Sequence, residues 1–337
     1  MASKLNMSWL RDWLPEQVPW RWIGSGLVVL LVIGCGFGWY WSREPALDQV
    51  RLDARERPFV TGYATVESTI RTCGWLLDKP GGYLSNDLMP PGVWLDNMPS
   101  FEFGVLEQCR DVARVLRDRF SRSQSQSTED ADLAIAQPAF NFSSDSWIFP
   151  ATESKIREGL DALRAYQDRI SNADEPEAQF FARADNLNEW LSVVELRLGS
   201  LSQRLSASVE RTRVNTDLAG EPSAANSTRR SQLVEVRTPW LQIDNVFYEA
   251  RGSAWALLQF LRAIERDFSG VLEDKNATVS IAQIERELEG ALGNLFSPII
   301  LNGSGFGLFA NHSLVLASYI SRAHSAIIDV RDLLEQG

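Results

Sequence analysis

The sequence is short of four things, and each scarcity closes a class of function. Histidine occurs twice in 337 residues. His312 and His324 are twelve positions apart, about 120° around a helix axis, so one helix cannot present both to a single metal. Cysteine occurs three times; Cys35 lies in an apolar run, and with the two that remain there is no zinc signature, no HExxH and no nucleophile elbow. Lysine supplies four of the 33 basic side chains, and no basic stripe is present. Setting aside Lys4, Arg11, Arg21, Asp12 and Glu16 leaves 30 basic residues against 42 acidic ones beyond residue 41. So acidic a body excludes nucleic acid as a partner. Alternating β-branched runs are short, whereas apolar residues at three-and-four spacing recur almost everywhere, which makes the class all-α.

What is present begins with WIGSGLVVLLVIGCGFGWYW (22–41), twenty residues without a charge. As a helix it is about 30 Å long, the thickness of a bilayer core. Trp20 and Trp22 on one side, and Trp39, Tyr40 and Trp41 on the other, are the amphipathic aromatics that settle at headgroup level. A cleaved signal peptide needs small residues where Trp39-Tyr40-Trp41 stands, so a retained span is expected, with the lipid bilayer as first partner. Residues 1–21 read as an interfacial tail in which Trp9 and Trp13 lie one helical turn apart. Basic residues flank both ends of the span and do not favour N-in. A short tail before a single span is nevertheless the usual signal-anchor arrangement, and it places the bulk of the chain outside.

After a polar linker, Tyr63, Val66, Ile70, Cys73 and Leu77 share one helical face, and Val105, Cys109, Val112, Leu116 and Phe120 share another. The loop between them is broken by glycine and proline. In an antiparallel hairpin Cys73 and Cys109 lie at matching height, roughly 9 and 12 Å from the loop end. Two readings stand: a disulfide, if the compartment is oxidising, or two buried free thiols. Residues 121–150 show no clear periodicity but carry Phe140, Phe142, Trp147, Ile148 and Phe149, enough apolar surface to dock onto helices.

The blocks GGYLSND (81–87), PPGVWLDNMP (90–99), Arg110-Asp111, SRSQSQS (121–127) and SWIFP (146–150) resemble those of domain-of-unknown-function family 2333. The resemblance covers essentially the whole chain. It implies a Gram-negative inner-membrane protein with one N-terminal span, and it implies no activity.

Further on, Ala184, Leu187, Leu191, Val194, Leu198, Leu201 and Leu205 form a three-four seam, flanked by Arg183, Trp190, Arg197, Arg204 and Arg211. The next helix repeats the spacing from Trp240 to Val271, with Thr238 as N-cap and Pro239 at its first position. These two are expected to return antiparallel as rods of about 33 residues, near 50 Å. Packing within one bundle is the first reading, and a dimeric coiled coil, hence a homodimer, is the alternative. Two further helices close the chain. The glycines at 303, 305 and 307 between them lack the lysine and spacing of a phosphate loop and read as a buried apolar turn, with membrane-surface contact as the alternative.

The predicted fold is one N-terminal transmembrane helix followed by an elongated antiparallel helical bundle with long coiled-coil-like helices. It divides into a tail (1–21), signal anchor (22–41), linker (42–58), first helical hairpin with long loops (59–175) and long-helix bundle (176–337). No cofactor, metal or catalytic set is assigned. The first functional reading is a non-catalytic envelope scaffold in the bacterial inner membrane, its large domain periplasmic, that binds an envelope protein through residues 81–99 and 121–150. Tyr83, Asn86, Asp87, Trp94, Asp96, Asn97, Arg122, Gln124, Gln126 and Trp147 are the candidate surface. The two loops are expected at opposite ends of the first hairpin, with residue 121 onward nearer the membrane. A cell-wall enzyme using Asp87, Asp96, Glu102 and Asp111, and a lipid-binding helical protein, are the other readings.

Overall fold

A computed structural model describes residues 20–48, 60–123, 128–172, 174, 178–209, 211–214, 233–297, 299–304 and 307–336. The class is all-α, with one short β-hairpin. In chain order the helices are α1 (Trp20–Trp41), α2 (Tyr63–Asp78), α3 (Asn97–Val115, extended by a π-turn at Leu116–Phe120), α4 (Leu133–Phe140) and α5 (Thr152–Ile170). Then come α6 (Ala184–Ser206), α7 (Ile243–Asp267), α8 (Ser269–Asp274), α9 (Thr278–Ala291) and α10 (His312–Glu335). Strands β1 (Arg211–Val214) and β2 (Leu233–Val236) pair antiparallel between α6 and α7. Arg211, expected on the helix flank, lies in β1.

Helix α7 is the axis of the fold. An amphipathic helix buries one stripe, but from Ala250 to Leu261 every residue of α7 is buried, including Arg251 and Gln259. A helix apolar all round belongs in the middle of a bundle. Helix α3 runs parallel to α7 and meets it backbone to backbone. A side chain on Gly104 would strike the Glu249 carbonyl, and one on Gly252 the Phe101 carbonyl. Helix α2 runs antiparallel to α7, with Thr65 N–H and Oγ1 both donating to Asp267 Oδ2 at 2.7 Å. That carboxylate satisfies a first-turn donor of α2 from a position 202 residues away.

The two long helices are not each other's main partners. At 23 and 25 residues they are about 35 and 38 Å long, shorter than the 50 Å expected. The leucine seam of α6 lies chiefly against α10, antiparallel, with Arg331 Nε 2.9 Å from Asn188 Oδ1. Its flank is engaged as well: Trp190 is fully buried, and the part-exposed Arg197 and Arg204 pair with Asp111 and Glu249. An apolar stripe states that it will be covered, not by which helix. At the start of α7 a 3-10 turn (Trp240–Gln242) holds Trp240 exposed, outside the stripe expected of it.

Helix α1 joins one end of the bundle, here the near end, and residues 44–47 just after it dock on α7. Arg251 Nη2 pairs with Glu44 Oε2 at 2.6 Å, Trp255 Nε1 donates to Ala46 O at 3.1 Å and Arg262 Nη1 to Leu47 O at 2.8 Å. Loop residues reach α1 as well. A Cβ on Gly34 would lie 3.1 Å from the Trp94 ring, and one on Gly38 3.4 Å from Leu95. The loop following α2 is therefore the one beside α1, and the expectation that residue 121 onward holds that place is overturned. Residues 121–123 and 128–130 are at the far end. The segment after them contains α4, which carries the chain back to the near end, so 143–150 and 81–99 meet instead of facing opposite ways.

Candidate functional site

The near-end loops are built on a buried ion pair. Helix α2 stops at Asp78, and Lys79 turns inward until its Nζ lies 2.8 Å from Glu102 Oε1 of α3, both side chains shut off from solvent. The Glu102 carboxylate also accepts from Leu84 N–H and Ser85 N–H at 3.0 Å and from Ser85 Oγ at 2.6 Å. Burial pushes the Glu102 carboxyl up, and Lys79, Ser85 and the Leu84 N–H pull against it. One carboxylate thus staples residues 81–87 onto α3.

The same loop is bonded to residues 143–153. Tyr83 donates from its hydroxyl to Ser144 O at 2.8 Å, and Asn86 Nδ2 donates to Ser146 O and Glu153 Oε2, each at 2.8 Å. Both side chains are buried, and burial raises the Tyr83 phenol above its ordinary value. Placed on a binding surface from sequence, Tyr83 and Asn86 instead hold two loops together: a polar side chain in a Gly/Pro-rich loop reads the same whether it meets solvent or a backbone carbonyl.

The outward side carries the rest. Asp87 is half-buried against Gly92; burial first, and then Glu153, raises its carboxyl. Asp96 is exposed at the start of α3, where its carbonyl accepts the Ser100 N–H and hydroxyl. Asn97 is half-buried, and Trp94 and Trp147 are exposed. Trp147, Ile148 and Phe149, expected to dock onto helices, project away from them. Phe149 sits at φ +26°, in a turn closed by Ser146 Oγ donating to Pro150 O and Thr152 Oγ1 donating to Ser146 O.

A family model described as an uncharacterised protein conserved in bacteria (DUF2333) matches residues 14–337. The chain belongs to the DUF2333 family. No curated protein and no solved structure matches it.

Elsewhere in this DUF2333 chain, Cys73 and Cys109 form a disulfide between α2 and α3, with Cα atoms 6.0 Å apart. Asp111 is held by Arg197 at 2.8 Å; burial raises its carboxyl against that guanidinium. Arg122 lies toward the far end, in a cleft of about 430 Å³ between α3 and α6 that it lines with Arg114, Asp118, Arg119 and Glu189. Gln124 and Gln126 lie outside the described residues. His312 Nδ1 accepts the Leu301 N–H at 3.1 Å, and His324 faces Gly199. Among the described residues no cluster of three or more His, Cys, Asp or Glu could hold a metal.

The segment read as a buried apolar turn is not buried. Residue 305 lies outside the described residues. Around it, hydrogen bonds from Gly303 N–H to Ala310 O and from His312 N–H to Leu301 O pin the turn at its base, while Leu308 and Phe309 stand in the open. Sequence reading also missed Glu44, Lys79 and Arg251, the residues that tie α1 and the near-end loops to the bundle. Lys79 had one visible signal, being one of four lysines and placed at a helix end before proline; Arg251 had none beyond standing next to the stripe residue Ala250.

Proposed function

We propose that this DUF2333 protein is a single-span protein of the bacterial inner membrane, with α1 as a retained anchor and the bundle on the periplasmic side. It acts as a non-catalytic scaffold that binds another envelope protein. The observation that carries the reading is how the two most buried of the four carboxylates nominated for acid–base chemistry are used. Glu102 is spent on Lys79 and the loop backbone, and Asp111 on Arg197. A hydrolase needs a carboxyl free to exchange a proton with substrate, and these two are structural fasteners. The disulfide agrees with an oxidising compartment.

The partner's place is the cleft where Arg114, Arg119 and Arg122 outnumber Asp118 and Glu189, Arg119 being paired with Glu189, on a protein that is acidic as a whole. Such a site suits an acidic polypeptide segment. A photo-crosslinking residue in place of Asp118, in intact cells, should give one discrete protein adduct. Arg114→Glu with Arg119→Glu should abolish that adduct without lowering the amount of protein in the membrane. No adduct, or an adduct indifferent to the reversal, would reject the cleft. Labelling of a cysteine at Ser223 by an impermeant maleimide only after lysis would reject the periplasmic placement.

A further inference from the structure

The loops at the near end carry large apolar side chains exposed at the surface: Met89, Trp94, Phe149, Trp240, Phe296 and Leu308. They come from four separate connections, following α2, α4, β2 and α9, and all four emerge where α1 joins. Phe149 is 94% exposed and Phe296 93%. Apolar groups on so many independent loops, gathered at one end, mark an interaction surface.

We propose that this rim is seated in the bilayer surface around α1, so that the bundle stands on the membrane with its near end immersed. The proposal rests on α1 being a span, and the position of Trp94 gives it depth. Trp94 packs on Gly34, seven residues before Trp41, hence about 10 Å along the helix axis toward the middle of α1. If Trp41 marks the headgroup level, Trp94 is below it, at about the 5–10 Å depth reached by interfacial amphipathic segments. The backbone there suits a medium short of water. Pro90 and Pro91 have no N–H, and the N–H groups of Val93, Trp94 and Leu95 donate to Met89 O, Pro91 O and Gly92 O. Arg43 lies over the Trp39 ring, 4.4 Å from its centroid, the snorkelling posture of a cation at a membrane boundary. Charge does not recruit the rim, since Asp87, Asp96 and Asp145 surround it and the protein is acidic; the contact is apolar and independent of salt.

The test uses the full-length chain carrying Cys35→Ser, with its disulfide intact, in phosphatidylethanolamine–phosphatidylglycerol vesicles. An environment-sensitive fluorophore is placed by Phe149→Cys, Leu308→Cys, Leu30→Cys in the span or Val279→Cys at the far end, and quenching by lipids brominated on the acyl chain is read. The expected result is quenching at 149 and 308 at least half as strong as at 30, unchanged in high salt, with none at 279. Quenching at 30 without quenching at 149 and 308 overturns the proposal while leaving the span intact. Blue-shifted but unquenched emission at 149 and 308 means that a protein surface covers the rim, and overturns it too. No quenching at 30 removes the span and this proposal together.

Discussion

At the far end of the bundle the rings of Phe120, Phe180 and Phe268 meet with centroids 5.1–5.8 Å apart; at the near end those of Trp75, Phe101 and Trp255 meet at 5.1–6.4 Å. Inside, then, both ends are closed by three aromatic side chains. Outside they differ. The far end is finished with ion pairs nearer to solvent, Arg119 with Glu189 exposed, Arg117 with Glu129 partly exposed and Arg169 half-buried on Asp130 and Asp132. Among the described residues, only Ile135 and Val279 expose large apolar side chains in the loops and first turns there. The near end hides its ion pair and exposes its apolar groups, the reverse of what water rewards. Two ends of one core, under the same folding constraints, differ in what their outer residues face.

Mutation should separate the two kinds of finish. Lys79→Ala leaves Glu102 buried and unpaired and should cost about 3–5 kcal/mol in denaturant unfolding. Adding Glu102→Gln, which keeps an acceptor for Leu84 and Ser85, should restore part of the loss; a cost below about 1 kcal/mol for Lys79→Ala would mean that the near-end pair behaves like a surface one. Arg119→Ala at the far end, where the guanidinium is 44% exposed, should cost at most about 1 kcal/mol and lose that difference in high salt.

The smallest effect belongs to neither end. Glu285 of α9 faces Glu265, Glu289 and Arg262, and burial, then Glu265, pushes its carboxyl to about 7. A folded value above the unfolded one favours the folded state fully below the unfolded value, and that advantage is lost as pH rises through 7. Between pH 6 and 8 the melting temperature of the wild type should therefore fall relative to Glu285→Gln by about 1–3 °C. Parallel melting curves for the two proteins would contradict this.

What could be read from sequence followed the periodicity. The leucines of α6 announced a buried seam, and Cys73 and Cys109 fell at matching heights on facing helices. The seam's partner could not be read, because an apolar stripe on α7 or on α10 covers leucine equally well. The route of residues 121–150 was hidden because α4, only eight residues long with Pro138 inside it, has too few turns to show a period. The candidate site was least legible of all. Tyr83 and Trp147 are both aromatic residues in Gly/Pro/Ser-rich loops, and only the fold puts the first inside and the second outside.

The central place of α7 also sets an order on synthesis. The helix against which α2, α3 and α9 all pack begins at residue 243, so more than two thirds of the chain leaves the ribosome before its core has a middle. Until then α2 and α3 have each other and the flanking helices α4, α5 and α6 but not the helix between them, and the carboxylate that receives the start of α2 is still 202 residues away. The first half stays incomplete, and a chain shortened before Asp267 lacks the carboxylate that receives the start of α2.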